Sequence, residues 1–267
     1  MGRDPIEGKK RRLPQLPTVI PVRALAPTVL TVLALCSGVT AIRFAIAADW
    51  PMAALAILLA GLFDSLDGRV ARAIKGTSRF GAEMDSLSDV ICFGVSPALV
   101  MYFWSLEQLG GIGWAIALLY CVCCAMRLAR FNILDRDAKE SGEVHQHFLG
   151  IPAPGAAALL LMPICAGQGY PEMMAIEPVL VAAFTVILAL MMISQVPTYS
   201  FKYVKISRGH VVPILVAVVM FVGLLTSFFW GTLIAIGFLY MATIVYSAFT
   251  SLPEDGSEDA EDNETQP

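Results

Sequence analysis

Asp64 and Asp67 are spaced i, i+3, Asp85 and Asp89 are spaced i, i+4, and all four fall inside or beside strongly apolar stretches. On helices, either spacing turns both carboxylates of a pair to one side, so two such helices lying together create a four-carboxylate cluster. An unpaired carboxylate in hydrocarbon costs roughly 2.5–3.5 kcal/mol even on the lenient insertion scale, so the cluster must be hydrated, neutralised or bound to cations. Carboxylate oxygens are hard ligands. Mg²⁺ typically accepts a few of them and completes its shell with water and substrate phosphates, so the pattern points to metal-dependent chemistry on a phosphate-bearing substrate.

Gly68 follows Asp67 directly, and Gly81 precedes Asp85 by four residues. Glycine in a membrane helix leaves room for a neighbouring backbone or for a ligand. Arg72, where the first of the two helices should leave the bilayer, adds a permanent cation beside the carboxylates. Two other readings compete: a structural polar cluster, and the ion site of a divalent-cation transporter. A transporter has no evident need for this glycine and arginine arrangement, and it usually has related structural halves. The C-terminal half of the chain holds no second aspartate motif.

The elements that must position these residues are apolar. Of 267 residues, 57% are hydrophobic and 15% charged, against about 25% charged in soluble domains; mean hydropathy is +0.70. Apolar runs at about 28–47, 51–74, 81–105, 111–131, 148–167, 178–195, 210–229 and 231–250 predict an all-α, polytopic membrane bundle of about eight transmembrane helices. The fifth run is short, and the last two share a tight link around Trp230-Gly231, so seven spans is the alternative. Seventeen of the eighteen Lys and Arg residues fall in the N-terminal segment or in alternate connections, and only Arg43 lies near the opposite side. The positive-inside rule then places both termini in the cytoplasm and the aspartates toward that face of the cytoplasmic membrane.

Three segments follow. Residues 1–26 carry Lys9-Lys10-Arg11-Arg12 and then Pro14, Pro17 and Pro21, which bar a long helix. They are expected at the membrane interface near anionic lipids rather than as a signal peptide. Residues 27–251 form the transmembrane domain. Residues 252–267 are an acidic tail, expected to be disordered, whose seven carboxylates account for the net charge of −4 and leave the body net positive. Cys36, Cys92, Cys121, Cys123, Cys124 and Cys165 read as small core residues, because the Cys-Val-Cys-Cys cluster lies mid-span without a second ligand pair for zinc. His145 and His147 read as a solvated loop pair, and no nucleic-acid partner is expected.

The stretch from Asp64 to Asp89 reads Asp-x2-Asp-Gly-x2-Ala-Arg-x8-Gly-x3-Asp-x3-Asp, and it resembles the signature of the CDP-alcohol phosphatidyltransferase family at every fixed position. The looser stretches Phe93-Gly94-Val95-Ser96-Pro97-Ala98, Arg127-Leu-Ala-Arg130-Phe131-Asn132, Phe148-Leu-Gly150-Ile-Pro152-Ala-Pro154 and Thr198-Tyr199-Ser200-Phe201-Lys202 are similar to the phosphatidylserine synthase branch. The resemblance covers roughly residues 27–208. It implies a membrane enzyme that displaces CMP from CDP-diacylglycerol with the hydroxyl of L-serine, leaving phosphatidylserine. By the same resemblance, Asp64, Asp67, Asp85 and Asp89 would hold Mg²⁺ or Mn²⁺, with Asp89 also the candidate base. Gly68, Ala71, Arg72 and Gly81 would line the nucleotide pocket, and two copies would form a homodimer. Arg127 or Arg130, both at the cytoplasmic end of the fourth apolar run, is expected to pair with the carboxylate of serine. Sibling enzymes that use glycerol 3-phosphate, inositol phosphate or another alcohol share the aspartate signature and remain the nearest alternative.

Overall fold

The computed structural model describes residues 22–74, 79–141, 148–170, 176–194, 197–198 and 211–250. The basic run at 9–12, Lys75, the histidines at 145 and 147, residues 199–208 with Lys202, Lys205 and Arg208, and the acidic tail lie outside these residues. Among the described residues the chain is helical throughout, apart from one two-residue strand pairing.

Helix α1 (Val22–Ile46) runs antiparallel against α2 (Trp50–Ala73) through a three-residue turn. The start of α2 follows from its sequence: the Asp49 side chain accepts a hydrogen bond from the Met52 N–H at 3.2 Å, and Pro51 sits in the first turn, where its missing donor costs nothing. The two helices pack tightly because their facing positions are small. Ala34, Ala41 and Ala45 of α1 and Ala53, Ala54 and Ala60 of α2 are all buried. In a bilayer, where burying an apolar side chain gives no hydrophobic gain over lipid, such close backbone approach is a main source of helix association.

The third apolar segment is not one uniform helix. It divides into α3 (Arg79–Asp89), a π-helical turn (Val90–Val95) and α4 (Ser96–Trp104). The reason is Pro97: it lacks the N–H that would bond the Phe93 carbonyl, and the Ser96 N–H reaches back five residues to Ile91 O instead. After a short 3₁₀ turn at Leu106–Leu109, α5 (Gly111–Ser141) extends ten residues past the predicted end at 131. The fifth segment is likewise interrupted, into α6 (Ala153–Leu160) and α7 (Met162–Gly169), with Pro163 in the first turn of α7. Then come α8 (Pro178–Ile193), α9 (Val211–Ser227) and α10 (Phe229–Thr250), with the last two joined at Phe228 rather than around Trp230-Gly231.

Among the described residues, five helical segments are long and apolar enough to cross a membrane: Leu25–Ile46, Trp50–Ala73, Phe80–Trp104, Gly111–Asp135 and Phe229–Ser247. Three shorter apolar helical stretches, Ala153–Gly169, Pro178–Ile193 and Leu215–Ser227, account for the remaining predicted spans. The outward faces are apolar, as in Leu62, Ile112, Val179, Val219 and Phe238, which are all exposed and suit a lipid surroundings. The N-terminal boundary differs from expectation in one respect: α1 starts at Val22, so 22–26 belong to the helix, which carries Pro27 within its first turns.

Candidate active site

The site begins with the i, i+3 pair on α2 and the i, i+4 pair on α3. Because α1 packs against both helices, the pairs face each other across a narrow space. Carboxylate oxygens of Asp64, Asp67 and Asp85 lie within 4.8 Å of one another. The Asp89 carboxyl is in hydrogen-bonding contact with that of Asp64, so the fourth aspartate stands at the edge of the trio. Asp67 is buried at 5% exposure, and the other three are half-buried. A cation with metal–oxygen distances of 2.0–2.6 Å holds its ligand oxygens no more than roughly 4–5 Å apart, so the trio is close to the spacing that one divalent ion requires. The donor set is all oxygen, which suits a hard cation.

A residue the sequence reading passed over completes this arrangement. Thr31, on α1 and itself buried, donates its hydroxyl to Asp67 Oδ2 at 2.7 Å. Ser88 Oγ donates to the Thr31 carbonyl at 3.4 Å and so ties α3 to the same point of α1. No local signal marked Thr31. It lies 36 residues from Asp67, and threonine inside an apolar helix ordinarily bonds only its own backbone, as Thr31 also does toward Pro27 O at 3.1 Å.

The remaining predicted residues distribute around the carboxylates. A Cβ built on Gly68 would meet nothing within 4 Å, so this glycine faces open space rather than a neighbouring helix. Ala71 is half-buried one turn beyond Asp67, and Gly81 is half-buried near the start of α3. Arg72 is exposed, its Nε donating to Gly68 O at 3.0 Å, which folds the guanidinium back along α2 beside the open glycine. Arg130 is pinned elsewhere: its Nη1 donates to Ile193 O at 3.4 Å, at the carbonyl end of α8. Arg127 is half-buried, stacked 5.8 Å from the Phe131 ring centroid and within electrostatic range of Asp89. The two arginines, predicted as equivalent, therefore occupy different positions.

Two further contacts gather the outlying motifs here. Asn132 Nδ2 donates to Ser86 Oγ at 2.9 Å, which locks the end of α5 against α3 between Asp85 and Asp89. Phe148-Leu149 pairs antiparallel with Pro197-Thr198, joining the connection before α6 to the one after α8. Gly150, at φ 78°, makes this junction possible, since a Cβ there would lie 2.8 Å from Ser194 O and 2.9 Å from Met192 O. The remainder of the Thr198 to Lys202 stretch lies outside the described residues.

A sequence profile of the CDP-alcohol phosphatidyltransferases matches residues 24–250, which is most of the chain and takes in every residue of this site. The chain belongs to the CDP-alcohol phosphatidyltransferase family. Among curated relatives it is 44% identical over 151 residues to a CDP-diacylglycerol–serine O-phosphatidyltransferase of Mycobacterium tuberculosis, an alignment covering 55% of this chain and 52% of the relative. It is 36% identical over 181 residues to a protein of the same name from Helicobacter pylori, covering 68% of this chain and 74% of the relative. The chain thus spans about half the length of the mycobacterial relatives it matches and about three quarters of the Helicobacter one. Among solved structures, the Mycobacterium tuberculosis phosphatidylinositol phosphate synthase with CDP-DAG bound superposes with a TM-score of 0.42 at 18% identity, covering 70% of this chain and 92% of that one. Within this member of the family the aspartate trio is a site that could hold a metal ion.

Proposed function

We propose that this chain transfers the phosphatidyl group of CDP-diacylglycerol to the hydroxyl of L-serine, releasing CMP. The observation that carries the reading is the convergence of the Asp64, Asp67 and Asp85 oxygens to within 4.8 Å in a member of this family; the serine-specific names of its relatives support the choice of acceptor. Asp64, Asp67 and Asp85, with Asp89 at their edge, would hold Mg²⁺ or Mn²⁺. Such an ion supplies charge neutralisation at the pyrophosphate and at the departing phosphate oxygen of CMP.

The chain's own residues do the positioning. Gly68 leaves the space in which a nucleotide can lie against α2, and Arg72, Ala71 and Gly81 border it. An apolar groove of about 290 Å³ runs from Ser65, the neighbour of Asp64, along Gly61, Leu62 and Ile57 of α2, with Phe93 and Ala157 opposite. Its walls suit an acyl chain descending from the headgroup. Arg127 faces the acceptor, and Asp89 accepts the serine hydroxyl proton. The serine oxygen then bonds to the lipid phosphorus while the bond from that phosphorus to the CMP phosphate oxygen breaks.

Membrane preparations given labelled serine and CDP-diacylglycerol should form labelled phosphatidylserine and CMP in equal amounts. Glycerol 3-phosphate and inositol phosphate, tested beside serine, should give little product. Incorporation of either in preference to serine would assign the chain to a sibling activity.

Thr31 supports the site through Asp67 and touches no substrate. Replacing Thr31 by Val removes the donor while preserving side-chain shape. Partners that orient a metal ligand are typically worth about 10–100-fold in metal affinity. Thr31→Val should therefore bind Mn²⁺, measured by electron paramagnetic resonance of the purified protein, about tenfold or more weakly. Unchanged Mn²⁺ affinity would reduce Thr31 to a packing residue.

The distribution of basic residues supports a cytoplasmic-membrane protein with residues 1–26 at the inner interface, residues 27–251 forming the membrane domain, an acidic tail at 252–267, and the site facing the cytoplasm. An alkaline phosphatase fusion after residue 250 that is active in the periplasm would reverse this orientation. Family membership supports a homodimer, and a monomeric mass by light scattering in mild detergent would count against it.

A further inference from the structure

Near Asp89, two neighbouring buried hydrogen-bond donors have no hydrogen-bond partner among the described residues. They are Nε of Arg127 on α5 and Oη of Tyr240 on α10. The two side chains are 113 residues apart in sequence yet lie within electrostatic range of each other, and Arg127 is also in range of Asp89. A buried polar group without a partner is destabilising and uncommon, so a pair of them close together calls for an explanation. Their chemistry narrows it. Guanidinium nitrogens only donate, whereas a phenol both donates and accepts; no hydrogen bond joins the two here, so the Arg127 Nε–H and the Tyr240 O–H each lack an acceptor. A planar carboxylate offers acceptor oxygens to both at once.

The position of Tyr240 is built by its neighbours. Its hydroxyl rests over Gly155 of α6, where a Cβ would stand 2.6 Å from Oη and 2.9 Å from Cε1, so only a glycine admits the ring. Gly155 is placed in turn by Pro152 and Pro154 at the start of α6. Tyr240 also lines an apolar groove of about 310 Å³, together with Leu58, Ala158, Met162, Leu233 and Gly237. It therefore stands where an apolar groove gives way to the cation at Arg127.

We propose that Tyr240, together with Arg127, binds the carboxylate of the acceptor amino acid and so selects serine over alcohols that lack one. This rests on the reading of serine as acceptor. With its carboxylate held between the Tyr240 hydroxyl and the Arg127 guanidinium, serine can extend its hydroxyl toward Asp89, since Arg127 is in range of both groups. Tyr240 is a specificity-determining residue in this arrangement and takes no part in the proton transfer.

The test compares purified wild type with Tyr240→Phe, using steady-state kinetics in both substrates and titration of the activating metal. A hydrogen bond to a charged group is worth enough that its loss should raise the Michaelis constant for serine about tenfold or more. The Michaelis constant for CDP-diacylglycerol and the metal midpoint should stay as in wild type. Gly155→Ala, which keeps the hydroxyl but displaces the ring, should give the same serine-specific rise, and it decides the matter if Tyr240→Phe fails to fold. A serine constant that does not move overturns the assignment. So does an equal rise for both substrates, or a rise confined to CDP-diacylglycerol, which would hand the two donors to the lipid pyrophosphate. Wild type that makes no phosphatidylserine at all overturns the serine reading and this assignment together, whereas active wild type with an unaffected Phe variant overturns the assignment alone.

Discussion

Asp64→Asn and Asp67→Asn should each lower phosphatidyl transfer by about 10³-fold, and chelation of divalent ions should abolish the activity of the unaltered protein until Mg²⁺ or Mn²⁺ is restored. The two carboxylates share α2 and reach within 4.8 Å of the Asp85 oxygen on α3. Asparagine keeps the size and one oxygen of aspartate but removes its charge. A three-carboxylate site thereby loses a third of the negative charge that holds the ion, and what remains is a weaker site with the same shape. Asp67 is the more sensitive of the two. It is buried, and its Oδ2 already accepts the Thr31 hydroxyl at 2.7 Å, so a carboxamide that presents its NH₂ group there turns that hydroxyl away to donate to Pro27 O alone. The measurement is initial rate against metal concentration on protein of verified thermal stability. Either variant keeping near-normal turnover at low metal concentration would show that these carboxylates do not hold the ion.

Asp89→Asn should lose at least about 10²-fold in turnover while CDP-diacylglycerol still binds in the presence of metal. Asp89 ends α3 immediately before the π-helical turn at Val90–Val95, and its carboxyl touches Asp64 at the margin of the trio. That margin is where a group can both face the metal and meet an incoming hydroxyl. A positioned base is typically worth 10²–10⁴-fold, and the serine hydroxyl is a poor nucleophile while it keeps its proton. Lipid affinity and turnover must be measured on the same folded preparation. A fall in turnover only in proportion to lost lipid binding would leave Asp89 a ligand and move the base elsewhere.

The separation of Arg127 from Arg130 illustrates where a linear motif stops being informative. On one helix, i and i+3 positions share a face, and the sequence offered no reason to distinguish them. The end of α8 distinguishes them, because its Ile193 carbonyl takes up Arg130 and leaves Arg127 beside Asp89. The interrupted third segment was nearer to being legible. Pro97 stands within a predicted span, and a proline there must free the carbonyl four residues earlier, which is Phe93. What the proline did not reveal was that the helix would widen into a π turn, since a kink satisfies the same deficit.

From its residues alone, this chain determined which carboxylates would cluster, that apolar helices would carry them, and roughly where those helices would fall, though not that α5 would run ten residues beyond its apolar stretch. Helical periodicity and the cost of charge in hydrocarbon are local rules, and they act on neighbours in the chain. The tertiary structure decided the rest: Thr31 on Asp67 across 36 residues, Asn132 on Ser86 across 46, and Tyr240 over Gly155 from the last helix. These contacts arise because small residues let particular helix faces meet closely, and a single threonine, asparagine or tyrosine in an apolar run carries no mark of the helix it will meet.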